Sequence, residues 1–133
     1  MRNDRAFLEQ SIGDEGIGTL GEVVRMAAAD LDPPDFVVVF GSRARDARRN
    51  DADIDVIFEA PWVPADPGRM PRLRERQDQL IFDLMAFPRG LLLGRLRVRD
   101  EVARTIMREG RVYADPDGWF RNVLIVVEEE ALI

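Results

Sequence analysis

Two aspartates, Asp53 and Asp55, flank an isoleucine in the run Asp-Ile-Asp-Val-Ile-Phe. The alternation of acid and apolar residues predicts a strand over residues 53–59. Side chains two apart on a strand share a face. Both carboxylates therefore face one way, with Cα atoms roughly 6.5–7 Å apart, and Ile54, Val56 and Phe58 face a core. Carboxylates so placed can converge on one divalent cation or bridge two, which sit about 3.5–4 Å apart in two-metal sites. A third acid, Asp83, lies inside Leu-Ile-Phe-Asp-Leu-Met-Ala-Phe. A carboxylate in so apolar a run is costly unless it is paired or metal-bound. Asp83 is thus either a third metal ligand or a strand-end acid paired with an arginine. Two such carboxylates about 5 Å apart, at an effective dielectric near 20, repel by about 3 kcal/mol, and a bound cation relieves that repulsion.

Upstream, the apolar run Phe36–Phe40 stops at Gly41-Ser42. Glycine lets the backbone turn tightly and lets a ligand approach. A helical turn over residues 44–49 would present free N–H groups to an anion, and the Ser42 hydroxyl adds a donor. Arg43, Arg45, Arg48 and Arg49 are forked cations suited to phosphate oxygens; Arg43 is either a phosphate ligand or a surface ion-pair partner, and the other three fit a solvated face. Magnesium is commonly held by a few carboxylates together with substrate phosphates, which matches a phosphate-gripping turn beside an acid-bearing strand.

Composition narrows the metal. The chain has no histidine and no cysteine, so any ion is held by oxygen, as magnesium, calcium and manganese are. Its 19 basic residues are all arginine, against 25 acids, for a net charge of −6. That balance opposes general nucleic-acid binding, which phosphate neutralisation drives. Arginine without lysine, combined with many alanines, suggests a protein of a GC-rich bacterial genome. No apolar run reaches the roughly 18 residues of a membrane span, and the N-terminus leads into no signal-like apolar segment. The expectation is a cytoplasmic protein, with no membrane partner and a single domain over residues 1–133.

The elements that must position these residues follow in order. Residues 1–13 are polar and expected to fray. Ile17, Leu20, Val24, Ala27 and Leu31 give helical spacing over residues 14–31, which Pro33-Pro34 ends. Phe36–Phe40 reads as a strand buried on both faces. Residues 61–71 hold four of the eight prolines and predict a loop. Residues 72–78 are polar good helix formers, so Arg72, Arg74 and Arg76 are expected on a solvated helix face. Residues 80–87 predict a third strand. Val98, Val102 and Ile106 form one stripe of a helix over residues 96–108, ended by Gly110, with a short strand at residues 111–113. Asp115-Pro116 resembles a helix start. Beyond it, the β-branched run 123–127 permits either a last helix or a strand. Trp119 and Phe120 suit tail packing or a partner contact. The order implies an α/β (α+β) domain, a small mixed sheet with helices packed mainly on one face.

Gly41-Ser42, ten residues, then Asp53-Ile54-Asp55 resembles the signature of the DNA polymerase β-like nucleotidyltransferase superfamily. The run Gly-Ser-Arg-Ala-Arg is most similar to the minimal nucleotidyltransferases, and the ending Ile106-Met107-Arg108-Glu109-Gly110-Arg111-Val112-Tyr113 resembles the close of many such domains. The resemblance covers roughly residues 17–114 and leaves the tail 115–133 for packing or partner contact. Two positions depart from the pattern: Asp46 stands where the family usually has glycine, and Ala52 where serine is common. The resemblance implies a nucleotidyltransferase fold and nucleotidyl transfer. Two magnesium ions would be held by Asp53 and Asp55, with Asp83 on one of them, and Gly41 and Ser42 would grip the outer phosphates of ATP, helped by Arg43.

The resemblance further implies a partner. Minimal proteins of this family commonly act as antitoxins that adenylylate a HEPN-domain ribonuclease toxin, so the expected acceptor is a tyrosine hydroxyl of such a toxin, in a hetero-oligomer. Two other functions stay open: a non-catalytic binding module of the same fold, and a small-molecule nucleotidyltransferase working with a separate acceptor-binding subunit.

Overall fold

The structure, a computed structural model, describes residues 4–41, 53–65, 72–77 by their main chain, and 80–133. Four helices are described: α1 (Arg5–Ala28), α2 (Leu91–Arg97), α3 (Glu101–Glu109) and α4 (Trp119–Glu130). Five described strands form one sheet: β1 (Phe36–Phe40), β2 (Ile54–Ala60), β3 (Arg72–Gln77), β4 (Leu80–Pro88) and β5 (Arg111–Ala114). Their order is β3-β4-β2-β1-β5. Among the described strand pairs, β2–β4 alone is parallel, so the sheet is mixed, as the order of elements implied.

Strand alternation builds two cores. Val37 and Val39 of β1, Ile54, Val56 and Phe58 of β2, and Phe82, Leu84 and Ala86 of β4 pack beneath α1. On the other face Phe36, Val38, Ile57 and Phe87 pack with Leu92 and Leu96 of α2, Ile106 of α3, and Phe120, Val123 and Val127 of α4. Three described helices thus share one face and α1 covers the other. Among the described residues, no helix is long and apolar enough to cross a membrane.

Several local expectations change. Residues 5–12 are helical and bury Leu8, Ser11 and Ile12. Gly13, at φ 74°, breaks α1 where the polar N-terminal segment was expected to fray. Asp4, ahead of that segment, accepts the Val112 N–H of β5 at 2.7 Å, which pins the start of the chain to the sheet edge. The single helix expected over 96–108 is two. Arg99 takes φ 61°, and the Asp100 carboxylate caps α3 by accepting the Ala103 N–H at 3.0 Å. The break leaves Val98 75% and Val102 48% exposed, while Ile106 is fully buried.

The largest change is at residues 72–77. The arginine-rich stretch is an edge strand, paired antiparallel with β4, and not a helix. Pairing to a neighbour overrides the local preference for helix, and charge on an edge strand opposes unwanted sheet extension. At the other end of the chain the tail is a helix. Asp115 caps it, accepting the N–H groups of Phe120 and Arg121 at 3.0 and 2.9 Å from ahead of Gly118.

Candidate active site

Register brings two of the three expected acids together. In the parallel β2–β4 ladder Asp55 lies directly opposite Asp83, on strands about 4.8 Å apart. Both alternate with residues buried beneath α1, so both occupy the opposite face, the one that α2, α3 and α4 cover further along. Asp55 is half-buried and Asp83 buried. Asp53 immediately precedes β2 and is half-buried. Across β1, Phe40 is opposite Asp55, which sets the end of β1 beside the acids.

Gly41 follows at once, at φ 80°, in the left-handed region that favours glycine. A Cβ there would collide with the Asp55 carboxylate, whose Cγ lies 3.3 Å from the ideal Cβ position. The turn and the acid are thus shaped to each other. The absent side chain of Gly41 is the room that the Asp55 carboxylate occupies. Ser42 and Arg43, with Arg45, Arg48, Arg49, Asp46 and Ala52, lie outside the described residues.

Asp55 and Asp83 offer oxygen donors of the kind magnesium takes, and a magnesium ion usually completes its shell with water and substrate phosphates. The pair fits such an ion on the chemistry of its donors. Among the described residues no three acidic side chains come close enough to make a ready-made metal cage.

A second acid cluster sits on the same sheet face, four residues further along β2. Glu59 is 2% exposed. Its carboxylate accepts the Gly90 N–H at 2.7 Å and the Leu92 N–H at 3.0 Å, so it closes the N-terminus of α2. Burial pushes the Glu59 carboxyl above the usual range, with the neighbouring Asp35 adding to the rise. The two N–H groups and the Arg89 cation oppose it. Asp35 accepts a forked pair of bonds from Arg89, both 2.8 Å, and the Arg89 guanidinium stacks over Trp119 at 4.1 Å. Sequence reasoning passed over Glu59. Its signal was present: it shares the odd-numbered face of β2 with Asp53 and Asp55, inside an apolar run.

The profile of the nucleotidyltransferase domain family matches residues 22–113, more than half of the chain. Comparison with curated proteins gives no match. Among solved structures, the nucleotidyltransferase-like protein from Exiguobacterium sibiricum 255-15 aligns with a TM-score of 0.56 at 14% identity, over 80% of this chain and 36% of that one. At that identity the likeness is one of fold, and the present chain spans little more than a third of that protein's length. With the family profile running from within α1 to β5, and the acid pair and the Gly41 turn inside it, the chain belongs to the nucleotidyltransferase domain family.

Proposed function

We propose that this protein transfers AMP from ATP to a hydroxyl group, with magnesium, at the end of the sheet that carries Asp53, Asp55 and Asp83. The observation that carries the reading is the Asp55–Asp83 register pair beside the Gly41 turn in a nucleotidyltransferase domain. In the reaction the acceptor oxygen attacks the α-phosphorus. The bond from that phosphorus to the bridging oxygen breaks, pyrophosphate leaves with the electron pair, and the acceptor proton passes to the Asp83 carboxylate or to water. Asp53, Asp55 and Asp83 would hold the magnesium, which supplies charge neutralisation at the phosphates and acidifies the acceptor hydroxyl. Gly41 and Ser42 would orient the outer phosphates, helped by Arg43. Positioning and charge stabilisation supply most of the rate in such a transfer, which suits a chain with no histidine, lysine or cysteine.

The acceptor we favour is a tyrosine of a HEPN-type toxin, with this chain acting as the antitoxin. The resemblance of the Gly-Ser-Arg-Ala-Arg run to minimal nucleotidyltransferases supports that choice. Transfer of label from α-labelled ATP to a co-purified partner tests it. Asp53→Asn and Asp55→Asn should each lower the transfer roughly a thousandfold, and unchanged labelling by both variants overturns the site assignment. A binding module of the same fold is the second reading, favoured by Asp46 in place of the usual glycine. Partner binding without any label transfer would select it.

A further inference from the structure

The inner face of α4 closes a core, with Phe120, Val123 and Val127 buried and Leu124 packed against them. Helical spacing puts Arg121, Asn122, Ile125, Glu128 and Glu129 on the opposite face, and all five are exposed. Ile125, 48% exposed, is the apolar centre of a stripe that is otherwise polar. Among the described residues Arg121, Glu128 and Glu129 form no ion pair, whereas Glu130, one position on, is joined to Arg97 of α2 at 2.7 Å. An open hollow of about 340 Å³ lies along the N-terminal half of the stripe, lined by Trp119, Arg121, Asn122 and Ile125 with Asp117 and Gly118.

The stripe is complementary to its own reverse. Arg121 and Glu129 lie four residues before and after Ile125, and Asn122 and Glu128 lie three before and after. Along the helix these offsets are about 6 Å and about 4.5 Å. Two copies of α4 crossing antiparallel at Ile125 therefore set Arg121 opposite Glu129 and Asn122 opposite Glu128, on both sides of the crossing. A parallel crossing would set the glutamates against each other. We propose that this face of α4 is a docking surface for a second copy of the chain, seated antiparallel across a two-fold axis at Ile125. A two-fold interface requires that each residue pair occur twice with the chains exchanged, and this stripe meets that requirement. Antiparallel helices also bring opposite macrodipole ends together. Glu129 of the second copy enters the hollow beside Arg121. Exposed ion pairs add little strength, but charge pattern fixes register and direction, while Ile125 and the hollow supply apolar burial. A single helix pair covers less area than a standard interface, so the dimer is weak and concentration-dependent. The inference does not depend on the transfer reading.

The test is sedimentation velocity of the full chain from about 5 to about 500 µM, the range of a weak complex. The wild type should pass from monomer to dimer within that range. Arg121→Glu and Glu129→Arg each set like charges opposite one another on both sides of the crossing, and each should raise the dimer Kd about tenfold or more. Mixed in equal amounts, the two variants restore opposite charges on both sides. The mixture should form a heterodimer within about threefold of the wild-type Kd. Ile125→Asn should weaken self-association while far-UV circular dichroism and the thermal midpoint stay those of the wild type, since the side chain is exposed. Glu15→Gln, on the exposed face of α1, should change nothing. A wild type that stays monomeric throughout, a dimer that survives both single reversals, or a mixture no more associated than its two components overturns the proposal.

Discussion

Strand β2 carries acids at both ends on one face, and the two ends differ. At its far end Glu59 is sealed under α2 and accepts two backbone N–H groups. Beside it, Asp35 and Arg89 are joined in a forked pair. At its near end Asp55 faces Asp83 across a parallel ladder and fills the room left by Gly41. One acid closes a helix and belongs to the scaffold. The other lies opposite a second aspartate in the ladder, and two carboxylates so placed attract a cation. The same residue type, on the same strand face, takes opposite roles according to what the neighbouring strand or helix presents to it.

Replacing either end tests the contrast. Asp55→Asn should lower label transfer roughly a thousandfold, the scale of losing a principal charge-stabilising group, while the thermal midpoint stays close to that of the wild type. Glu59→Ala should do the reverse. Leaving the buried Leu92 N–H unpartnered and opening a cavity should cost about 2–3 kcal/mol in urea unfolding, with the transfer rate per folded molecule unchanged. Loss of transfer in Glu59→Ala at full folding would erase the distinction between the two ends.

Gly41→Ala should fall between them. An L-residue at that φ costs about 1–2 kcal/mol, and its Cβ displaces the Asp55 carboxylate, so stability and transfer should decline together. The smallest effect is on pH. Because burial raises the folded-state pKa of Glu59 above its ordinary value, the folded chain holds this proton more tightly than the unfolded chain. The resulting stability is fully present below about pH 4.5 and is lost as pH rises through the folded pKa. Urea titrations of wild type and Glu59→Gln should therefore shift in favour of the glutamine variant as pH rises from 4 to 7. A constant difference would show that burial does not shift the group.

Much of this was legible in residue order. Phe36–Phe40 forms the strand its apolar run predicts, and the alternation at 53–59 forms β2. The 80–87 run forms β4 with Asp83 within it. Residues 72–77 were not legible. Arg-Leu-Arg-Glu-Arg-Gln has good helix formers and one apolar residue, and it becomes a strand through its ladder with β4. The break at Arg99–Asp100 was hidden as well, because Val98 and Val102 keep helical spacing while standing in solvent.

The sequence by itself determined the chemistry on offer: oxygen-only metal ligands, a glycine turn, and an acid pair spaced for one strand face. Those follow from side-chain type and the two-residue period of a strand, which are local. Tertiary structure alone decided which acids meet. Asp83 is 28 positions beyond Asp55 in the chain, and only the parallel register of β2 with β4 sets it opposite. The same long-range pairing turned three arginines from an expected helix face into the edge beside Asp83. Burial by α2 assigned Glu59 to the scaffold. A period of two fixes a face, but which partner lies across from that face depends on hydrogen-bonded neighbours far away in the chain.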